Sequence, residues 1–384
     1  MKKTSLFAAA LIAFGAATFT ACKDDDNEDE KLATIDELEA VKVEYNAEYA
    51  KQWGNYMSVV AKLLKTDSDN LYAYWNDAYE GGDAYAKQFK AAQGFGSAKN
   101  CVEQIIDGCI NIANEVGTAK IQEPVDLWKE GKTEDAVLAV ESWFSWHSRD
   151  DFANNIESVR NAYYGSLDGS VNPNSISKMV SAKDASLDIE VVLAITNARN
   201  AILAIPQPFR NNLGSTEAQT AINNCVALRD ILQDKVKAIV NGDLAEADWQ
   251  PIVDQYVDNV VLPTYKSLRD NNEALYNAVI AFQKNPSNEG FQKCADAWIA
   301  SRKPWESSEA FLFGPVDNKG LDPNMDTWPL DLAGIIKVFN NASWADLEYT
   351  DEASDDEVES AQGLRGFHTL EYLIYKDGKA RTIH

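Results

Sequence analysis

Apolar residues recur at intervals of three and four along most of this chain. Between residues 35 and 64 they are Leu38, Val41, Tyr45, Tyr49, Trp53, Met57, Val60 and Leu64. This spacing is that of one face of a helix. The same pattern predicts further helices over residues 101–116, 187–205, 216–240, 249–282 and 290–300. Strand-like alternation is scarce, so the pattern predicts an all-α fold built from helical bundles.

Clusters of glycine, proline and small polar residues separate these segments. They fall at residues 80–83, 165–175, 206–208, 285–287 and 314–323, where they predict turns. The least hydrophobic stretch of the middle region is 241–248. A body of about 350 residues also exceeds the size at which single cores stop growing. We therefore predict two helical lobes, one over residues 35–240 and one over residues 241–384.

The start of the chain has the layout of a secretory signal, which we assign to residues 1–21. Two lysines precede an apolar run, Leu6 to Phe19, that is too short to span a membrane. The sequence Phe19-Thr20-Ala21-Cys22 resembles the lipobox of bacterial lipoproteins, with Phe19 in place of the usual leucine. Cys22 would then carry the lipid that anchors the protein to membrane lipid.

An acidic tether, residues 22–34, follows this cysteine. Its Lys23-Asp24-Asp25-Asp26 segment resembles the surface-export signal of some Gram-negative lipoproteins, although a plain solvated tether would have the same composition. We expect a cell-envelope protein that is lipid-anchored to the outer membrane and exposed at the cell surface. The formal net charge of -25 argues against nucleic acid as a partner.

Four cysteines follow the predicted lipid attachment site. On one helix, Cys101 and Cys109 would lie about 12 Å apart, which is too far for a disulfide. The sequence leaves a bridge between Cys225 and Cys294 open. It contains no C-x-x-C motif, which argues against a thiolate metal site.

The most informative segment lies near the end of the chain, where Gly366 to Glu371 form a G-x-H-x-x-E pattern. The surrounding apolar residues are at helical spacing, so His368 and Glu371 share one helix face. An imidazole beside a carboxylate can bind a metal ion or exchange a proton. The alternative is a histidine with a purely structural hydrogen bond.

Two further stripes combine polar residues at helical spacing. In the first, Arg302, Trp305, Glu306 and Glu309 alternate with aromatic residues, which favours partial burial. The result is either a structural ion-pair network or the scaffold of a site. The second stripe consists of His147, Asp151, Asn155, Ser158 and Asn161. Asn and Ser are poor choices for a helix interior, so this stripe indicates buried polar contacts or, alternatively, a mixed helix surface.

Together these motifs resemble the imelysin-like family, which is also classed as imelysin peptidases. The resemblance includes the G-x-H-x-x-E segment, the Arg302 to Glu309 motif followed by Phe313-Gly314-Pro315, and the segment from Asp326 to Asp331. It continues in residues 151–165 and 180–205. In the usual family order the G-x-H-x-x-E motif precedes an Asn-rich half, which residues 110–205 of this chain resemble, whereas here the motif follows that half. The order therefore predicts a circular permutation, which proteins tolerate when their termini lie close together.

The resemblance implies two helical lobes with a site between them, a link to iron acquisition, and a claim to proteolysis. A zincin helix needs H-E-x-x-H, and this helix has one histidine. We therefore predict binding of a divalent metal ion, namely iron, or of an iron-containing ligand such as haem. The expected metal ligands are His368, Glu371 and Glu309. The expected lining residues are Arg302, Trp305, Glu306, Gly366, His147, Asp151, Asn155, Ser158 and Asn161.

Proteins of an iron-uptake system are the expected partners. Two alternatives stay open at this point. One is a metallopeptidase that uses the G-x-H-x-x-E motif, and the other is a structural or interaction module at the cell surface.

Overall fold

Helix α1 (Ala47–Asn76) is 30 residues long and packs along helix α12 (Leu262–Lys284). The computed structural model describes residues 47–242, 246–350 and 352–383, so the predicted signal, the tether and Ile35 lie outside the described residues. The apolar positions Trp53, Met57, Val60 and Leu64 of α1 are buried as their spacing predicts, whereas Tyr49 is 46% exposed. Gly54 lets the two helices approach, because a Cβ there would lie 3.1 Å from the Cα of Gln283.

The other regular elements follow in chain order. They are α2 (Tyr85–Lys90), α3 (Ala98–Glu115), α4 (Gln122–Lys129), α5 (Thr133–Leu138), α6 (Ser148–Tyr164), α7 (Ile176–Lys183), α8 (Ala185–Ala204), α9 (Thr216–Asp230), α10 (Lys237–Val240), α11 (Glu246–Tyr256), α13 (Asn288–Glu306), α14 (Pro315–Asn318), α15 (Leu321–Asp326), α16 (Leu332–Asn341), α17 (Asp355–Gln362), α18 (Gly366–Ile374), β1 (Tyr375–Lys376) and β2 (Lys379–Ala380). Short 3-10 turns occur at Phe209–Asn211, Glu309–Phe311 and Trp344–Leu347.

Three long helical runs contain a π-helical turn. These turns are Val116–Ile121 between α3 and α4, Ile231–Val236 between α9 and α10, and Val257–Val261 between α11 and α12. Such wide turns commonly mark functional or strained positions within a helix. The first of them carries Lys120, which is buried.

Short polar side chains begin several of the helices. Ser287 begins α13, where its Oγ accepts a hydrogen bond from the backbone N–H of Gly290 at 3.0 Å. Ser97 does the same for Asn100 at the start of α3, at 3.1 Å. Caps of this kind contribute about 0.5–2 kcal/mol each. These two caps fix the N-terminal ends of α13 and α3, and both helices help to position the candidate site described below.

The predicted all-α class is confirmed: in the described part of the chain the only strands are the two-residue β1 and β2, which pair antiparallel. Two details differ from the sequence prediction. Helix α1 continues past Leu64 to Asn76, and residues 314–323, predicted to form a turn, contain α14 and the start of α15. Gly314 and Gly320 have φ values of 70° and 59° before these helices, so the glycines mark helix starts as well as turns.

Helices from the two predicted halves of the chain pack against each other. Helix α1 contacts α18, where Trp53 Nε1 donates to the carbonyl oxygen of Leu373 at 2.6 Å, and α6 contacts α13. The permutation itself and the two-lobe division remain predictions.

The four cysteines of the described region are buried thiols, so the Cys225–Cys294 bridge that the sequence left open does not form. None of the described helices is both long enough and apolar enough to cross a membrane.

Candidate functional site

Gly366 explains the first position of the G-x-H-x-x-E motif. Its φ is +91°, a region that side chains other than glycine avoid. A Cβ atom there would also lie 2.6 Å from the carbonyl oxygen of Met325. The start of α18 is therefore pressed against the end of α15, and this contact brings His368 to Asp326.

We expect Gly366→Ala to lower the free energy of unfolding by about 2–4 kcal/mol, because it combines a steric clash with a strained backbone. Urea denaturation of the wild type and the variant measures this. Gly131→Ala serves as the control, since its φ is also positive, at +79°, but its surroundings are open. If both variants lose the same small amount, the close contact at Gly366 is not what requires the glycine.

His368 is completely buried and lies between two carboxylates. Its Nδ1 is 3.2 Å from Glu371 Oε2, and its Nε2 is 3.2 Å from Asp326 Oδ1. The ring of Trp328 packs edge-on against it, with centroids 4.8 Å apart. Burial and the charge of Arg302 would lower the pKa of the imidazole, but the two carboxylates raise it to about 9. A pKa of about 9 favours the imidazolium at neutral pH, in which the two ring nitrogens face Glu371 and Asp326, while Arg302 Nη2 lies 3.4 Å from Nε2.

The loop before α6 holds two of the carboxylates in place. The backbone N–H and the Oγ of Ser145 donate to Glu371 Oε1 at 2.8 and 2.7 Å. Ser142 Oγ donates to Asp151 Oδ2 at 2.6 Å. Ser142 and Trp146 have φ values of 52° and 61°, which are unusual for residues other than glycine. The loop is thus held in a costly conformation that aims its hydroxyl groups at the site.

Arg302, on α13, joins three acidic side chains. Its Nε donates to Asp151 Oδ2 at 3.1 Å, its Nη2 lies 2.5 Å from Glu306 Oε1, and its Nη1 pairs with Asp326. The planar guanidinium fork suits such multiple pairing. Burial alone would raise the pKa of Asp326, but Arg302 and His368 hold it well below its usual range. Asp326 is therefore charged at neutral pH.

Glu306 and Glu309 lie one turn apart, and their pKa values are raised, whereas that of Asp326 is lowered. Burial raises the pKa of Glu306 to about 8 against the influence of Arg302, while Asn155 Nδ2 donates to its Oε2 at 2.5 Å. Glu309 is 9% exposed, and its carboxylate has no hydrogen bond or ion pair in the described part of the chain. Burial raises the pKa of Glu309 well above its usual range, with Lys120 acting in the opposite direction.

Backbone contacts fix the turn that carries Glu309. Ser158 Oγ accepts a hydrogen bond from the N–H of Ala310 at 3.0 Å. Gly108 of α3 lies against the same turn, and a Cβ there would be only 2.0 Å from the carbonyl oxygen of Ala310. Helices α3 and α6 therefore hold Glu309 close to Glu306.

One oxygen from each of Glu306, Glu309 and Asp326 lies within 4.8 Å of the other two. This carboxylate cluster differs from the predicted ligand set of His368, Glu371 and Glu309. His368 contacts Glu371 through Nδ1 and Asp326 through Nε2, and Ser145 donates to the other oxygen of Glu371. A role for His368 or Glu371 as a metal ligand therefore remains a prediction.

The family assignment follows from comparison with known proteins. The family model described as Imelysin matches residues 23–235 and 261–384. The chain belongs to the imelysin family. It is 53% identical to an imelysin peptidase from Bacteroides ovatus, whose crystal structure at 1.44 Å resolution aligns over 89% of this chain and 99% of that chain with a TM-score of 0.88.

A second relative is curated as "Iron-regulated protein A" of Synechococcus elongatus. This imelysin-family chain is 33% identical to it over 121 residues, which is 31% of this chain and 30% of the relative. The match thus spans less than a third of the length of that curated protein.

Two of the residues predicted to line the site face a separate cleft. His147 and Asn161 line a cavity of about 650 Å³ between α6, α8, α12 and α13. His147 also approaches the buried network, because its Nε2 lies 3.7 Å from Asp151 Oδ1. The other predicted lining residues, Arg302, Trp305, Glu306, Gly366, Asp151, Asn155 and Ser158, are buried.

Asp326 and Ser145 belong to this imelysin-family site but were not predicted from the sequence as site residues. Asp326 accepts from Trp305 Nε1 at 2.6 Å as well as pairing with Arg302 and His368. Asp326 is the first residue of the Asp326 to Asp331 motif, which carries part of the family resemblance. Its place in that motif could have identified it as a site residue. The spacing of polar and apolar residues along the chain gave no indication of Ser145.

Proposed function

We propose that this chain binds a divalent metal ion, with iron as the expected metal, at the carboxylates of Glu306, Glu309 and Asp326. The observation that supports this most is the unpaired, buried carboxylate of Glu309 beside two other acidic groups. Burying an unpaired charge is costly, and a bound cation would supply the missing partner. Carboxylate oxygens are suitable ligands for divalent ions of this class.

The surrounding residues would orient these ligands. Arg302 and Trp305 fix the two oxygens of Asp326, while Asn155 fixes Glu306. Partners of this kind hold ligand side chains in position and tune the metal. His368 contributes to the same task while it is protonated. It could act as a ligand itself only by giving up the proton on Nε2.

Titration of binding tests this proposal. We would follow Mn²⁺ in air and Fe²⁺ under anaerobic conditions by calorimetry, with the wild type, Glu309→Gln and Glu289→Gln. Glu289 is a matched control, because it is an exposed glutamate that pairs with Lys293. The proposal expects Glu309→Gln to bind at least about tenfold more weakly and Glu289→Gln to match the wild type. Equal binding by all three proteins, or none by the wild type, would contradict it.

The pKa values of the site predict how the stability of the metal-free protein depends on pH. Glu306 has a folded pKa of about 8 instead of 4.5, and His368 has about 9 instead of 6.5. The folded chain therefore holds protons that the unfolded chain releases. The contribution of Glu306 is complete below pH 4.5 and lost as pH rises through 8. That of His368 is complete below pH 6.5 and lost as pH rises through 9.

We accordingly expect the melting temperature in EDTA to fall from pH 6 to pH 9. The corresponding loss in the free energy of unfolding is on the order of 1 kcal/mol per pH unit. Glu306→Gln removes one of the groups that titrate in this range, so its profile should be flatter. A wild-type melting temperature that rises or stays constant over this range would show that these groups are not protonated in the folded chain.

The link to iron is supported by the name of the Synechococcus relative, "Iron-regulated protein A". We propose that the chain serves iron uptake at the cell envelope, anchored through Cys22 and working with proteins of an uptake system. The name of the Bacteroides relative, an imelysin peptidase, makes peptide hydrolysis the second candidate. Peptide cleavage by the metal-loaded wild type, with loss of cleavage in Glu309→Gln, would favour that candidate.

Cys22→Ser tests the anchor. The variant should leave the membrane fraction or accumulate as an unprocessed form, because one cysteine would carry all the lipid. Membrane fractionation and the mass of the mature chain measure this. A variant that matures and fractionates like the wild type would show that Cys22 is not lipidated.

A further inference from the structure

The cleft between α6, α8, α12 and α13 contains none of the three proposed metal ligands. Its volume of about 650 Å³ is within the range of pockets that hold small organic ligands. Its walls combine apolar side chains, such as Leu203 and Ile299, with charged and amide side chains. A lining of this kind suits a ligand that has both a carbon skeleton and polar groups.

The two acidic side chains of the cleft are already paired with arginines. Glu157 Oε1 lies 3.1 Å from Arg160 Nη2, and its Oε2 lies 3.4 Å from Arg199 Nε. Asp150 Oδ1 lies 4.0 Å from Arg149 Nη2. The negative charge of the cleft is therefore balanced within the protein itself.

The positive groups of the cleft have fewer partners. Lys303, in the last turn of α13, is exposed and has no ion pair among the residues that the structure describes. Arg199 contacts Glu157 through Nε, and its two Nη groups have no partner in that part of the chain. Since Arg160 shares the same carboxylate, the wall around Glu157 has a surplus of positive charge.

A buried amide adds a further donor to this wall. Asn161 is 3% exposed and lines the cleft. Its Oδ1 accepts a hydrogen bond from Arg160 Nη2 at 2.9 Å, which fixes the orientation of the amide. Its Nδ2 has no hydrogen bond within the described ranges. A buried donor without a partner costs free energy, and a ligand oxygen in the cleft would satisfy it.

We propose that this cleft binds a small organic anion with two or more carboxylate groups. Arg199 and Lys303 would hold the carboxylates, because charge-assisted hydrogen bonds to carboxylate oxygens are strong, and Asn161 would donate to one of the same oxygens. The apolar side chains would cover the carbon skeleton, whereas a bare inorganic anion would leave most of the cleft unfilled. The net charge of -25 does not prevent binding, since physiological salt screens exposed charges beyond about 8 Å.

Citrate is a suitable probe, because it is a compact tricarboxylate. Calorimetric titration in metal-free buffer of fixed ionic strength should show binding by the wild type. Arg199→Met and Lys303→Met should each weaken that binding at least about tenfold. Lys293→Met is the matched control, because Lys293 is an exposed lysine of the same helix that pairs with Glu289. This control should bind citrate as the wild type does.

Asn161→Asp tests the buried contact. The variant keeps an oxygen that can accept from Arg160 and replaces the free donor with a second oxygen, which would repel a carboxylate. Citrate binding should therefore fall at least about tenfold. Circular dichroism checks that each variant is folded. If Asn161→Asp fails to fold, the two cation variants still decide the matter, since Lys303 is exposed and the Arg199 side chain is 36% exposed.

Titration with inorganic phosphate tests the class of anion. Phosphate should bind at least about tenfold more weakly than citrate, because it cannot reach the separate cations or cover the apolar wall. Equal affinity for phosphate and citrate would overturn the assignment to an organic anion. No citrate binding by the wild type at millimolar concentration, or equal binding by the wild type, Arg199→Met and Lys303→Met, would overturn the site itself.

Discussion

Glu309→Gln is expected to stabilise the metal-free protein, although it removes a group from the centre of the site. The wild-type carboxylate is buried without a hydrogen bond or ion pair among the described residues, and burial raises its pKa well above its usual range. The folded chain must therefore hold it as a neutral acid or accept an unpaired charge, and both cost free energy at neutral pH. A glutamine has nearly the same shape and no charge to bury.

The expected gain is about 1–3 kcal/mol in the free energy of unfolding at pH 7. Urea denaturation in EDTA measures it. Glu289→Gln, on the exposed face of α13, should change stability by no more than about 0.5 kcal/mol. A loss of stability in Glu309→Gln would mean that the carboxylate has a stabilising partner in the folded chain. A gain in stability together with a loss of metal binding is typical of residues kept for function.

Arg302→Met is expected to have the largest destabilising effect. The guanidinium is fully buried and pairs with Asp151, Glu306 and Asp326. Removing it leaves buried carboxylates without their cation, a change that commonly costs about 3–5 kcal/mol for a single broken pair. The variant should unfold at much lower urea concentration, and it should also lose metal binding because Asp326 is no longer oriented.

Arg269→Met is a suitable comparison for this variant. Arg269 pairs with Asp270, but its side chain is 31% exposed, so its loss should cost no more than about 1 kcal/mol. Similar denaturation curves for the two variants would show that burial of the Arg302 network is not what makes it important.

The sequence predicted the parts of the fold and site that depend on residues close together in the chain. The apolar spacing identified the helices that form the bulk of the structure. The spacing of Arg302, Glu306 and Glu309 placed all three near one face of α13 and its following turn. The spacing of Asp151, Asn155 and Ser158 similarly predicted a buried polar stripe, which in the structure contacts Arg302, Glu306 and Ala310.

Contacts between distant segments were beyond such reasoning. Asp326 lies at the end of a short helix, three residues after the segment 314–323 whose glycines and prolines predicted a turn. Its position against His368 depends on the close approach of Met325 to Gly366, which no spacing encodes. Lys120 lies in a π-helical turn, which shifts side chains away from the regular helical positions used in the prediction.

The predicted pairing of His368 with a metal illustrates the same limit. Spacing correctly placed His368 next to Glu371, but it could not show that Asp326 occupies the other ring nitrogen. That second contact raises the pKa of the imidazole to about 9, and a role for His368 as a metal ligand stays a prediction.

The most direct test of the proposed metal site is an anomalous difference map from crystals of the protein soaked in Fe²⁺ under anaerobic conditions. The account predicts a single strong peak within about 2.0–2.4 Å of carboxylate oxygens of Glu306, Glu309 and Asp326. The peak should be absent from crystals of Glu309→Gln treated in the same way. A peak elsewhere in the molecule, or no peak in the wild type at an iron concentration that saturates binding in solution, would contradict the account.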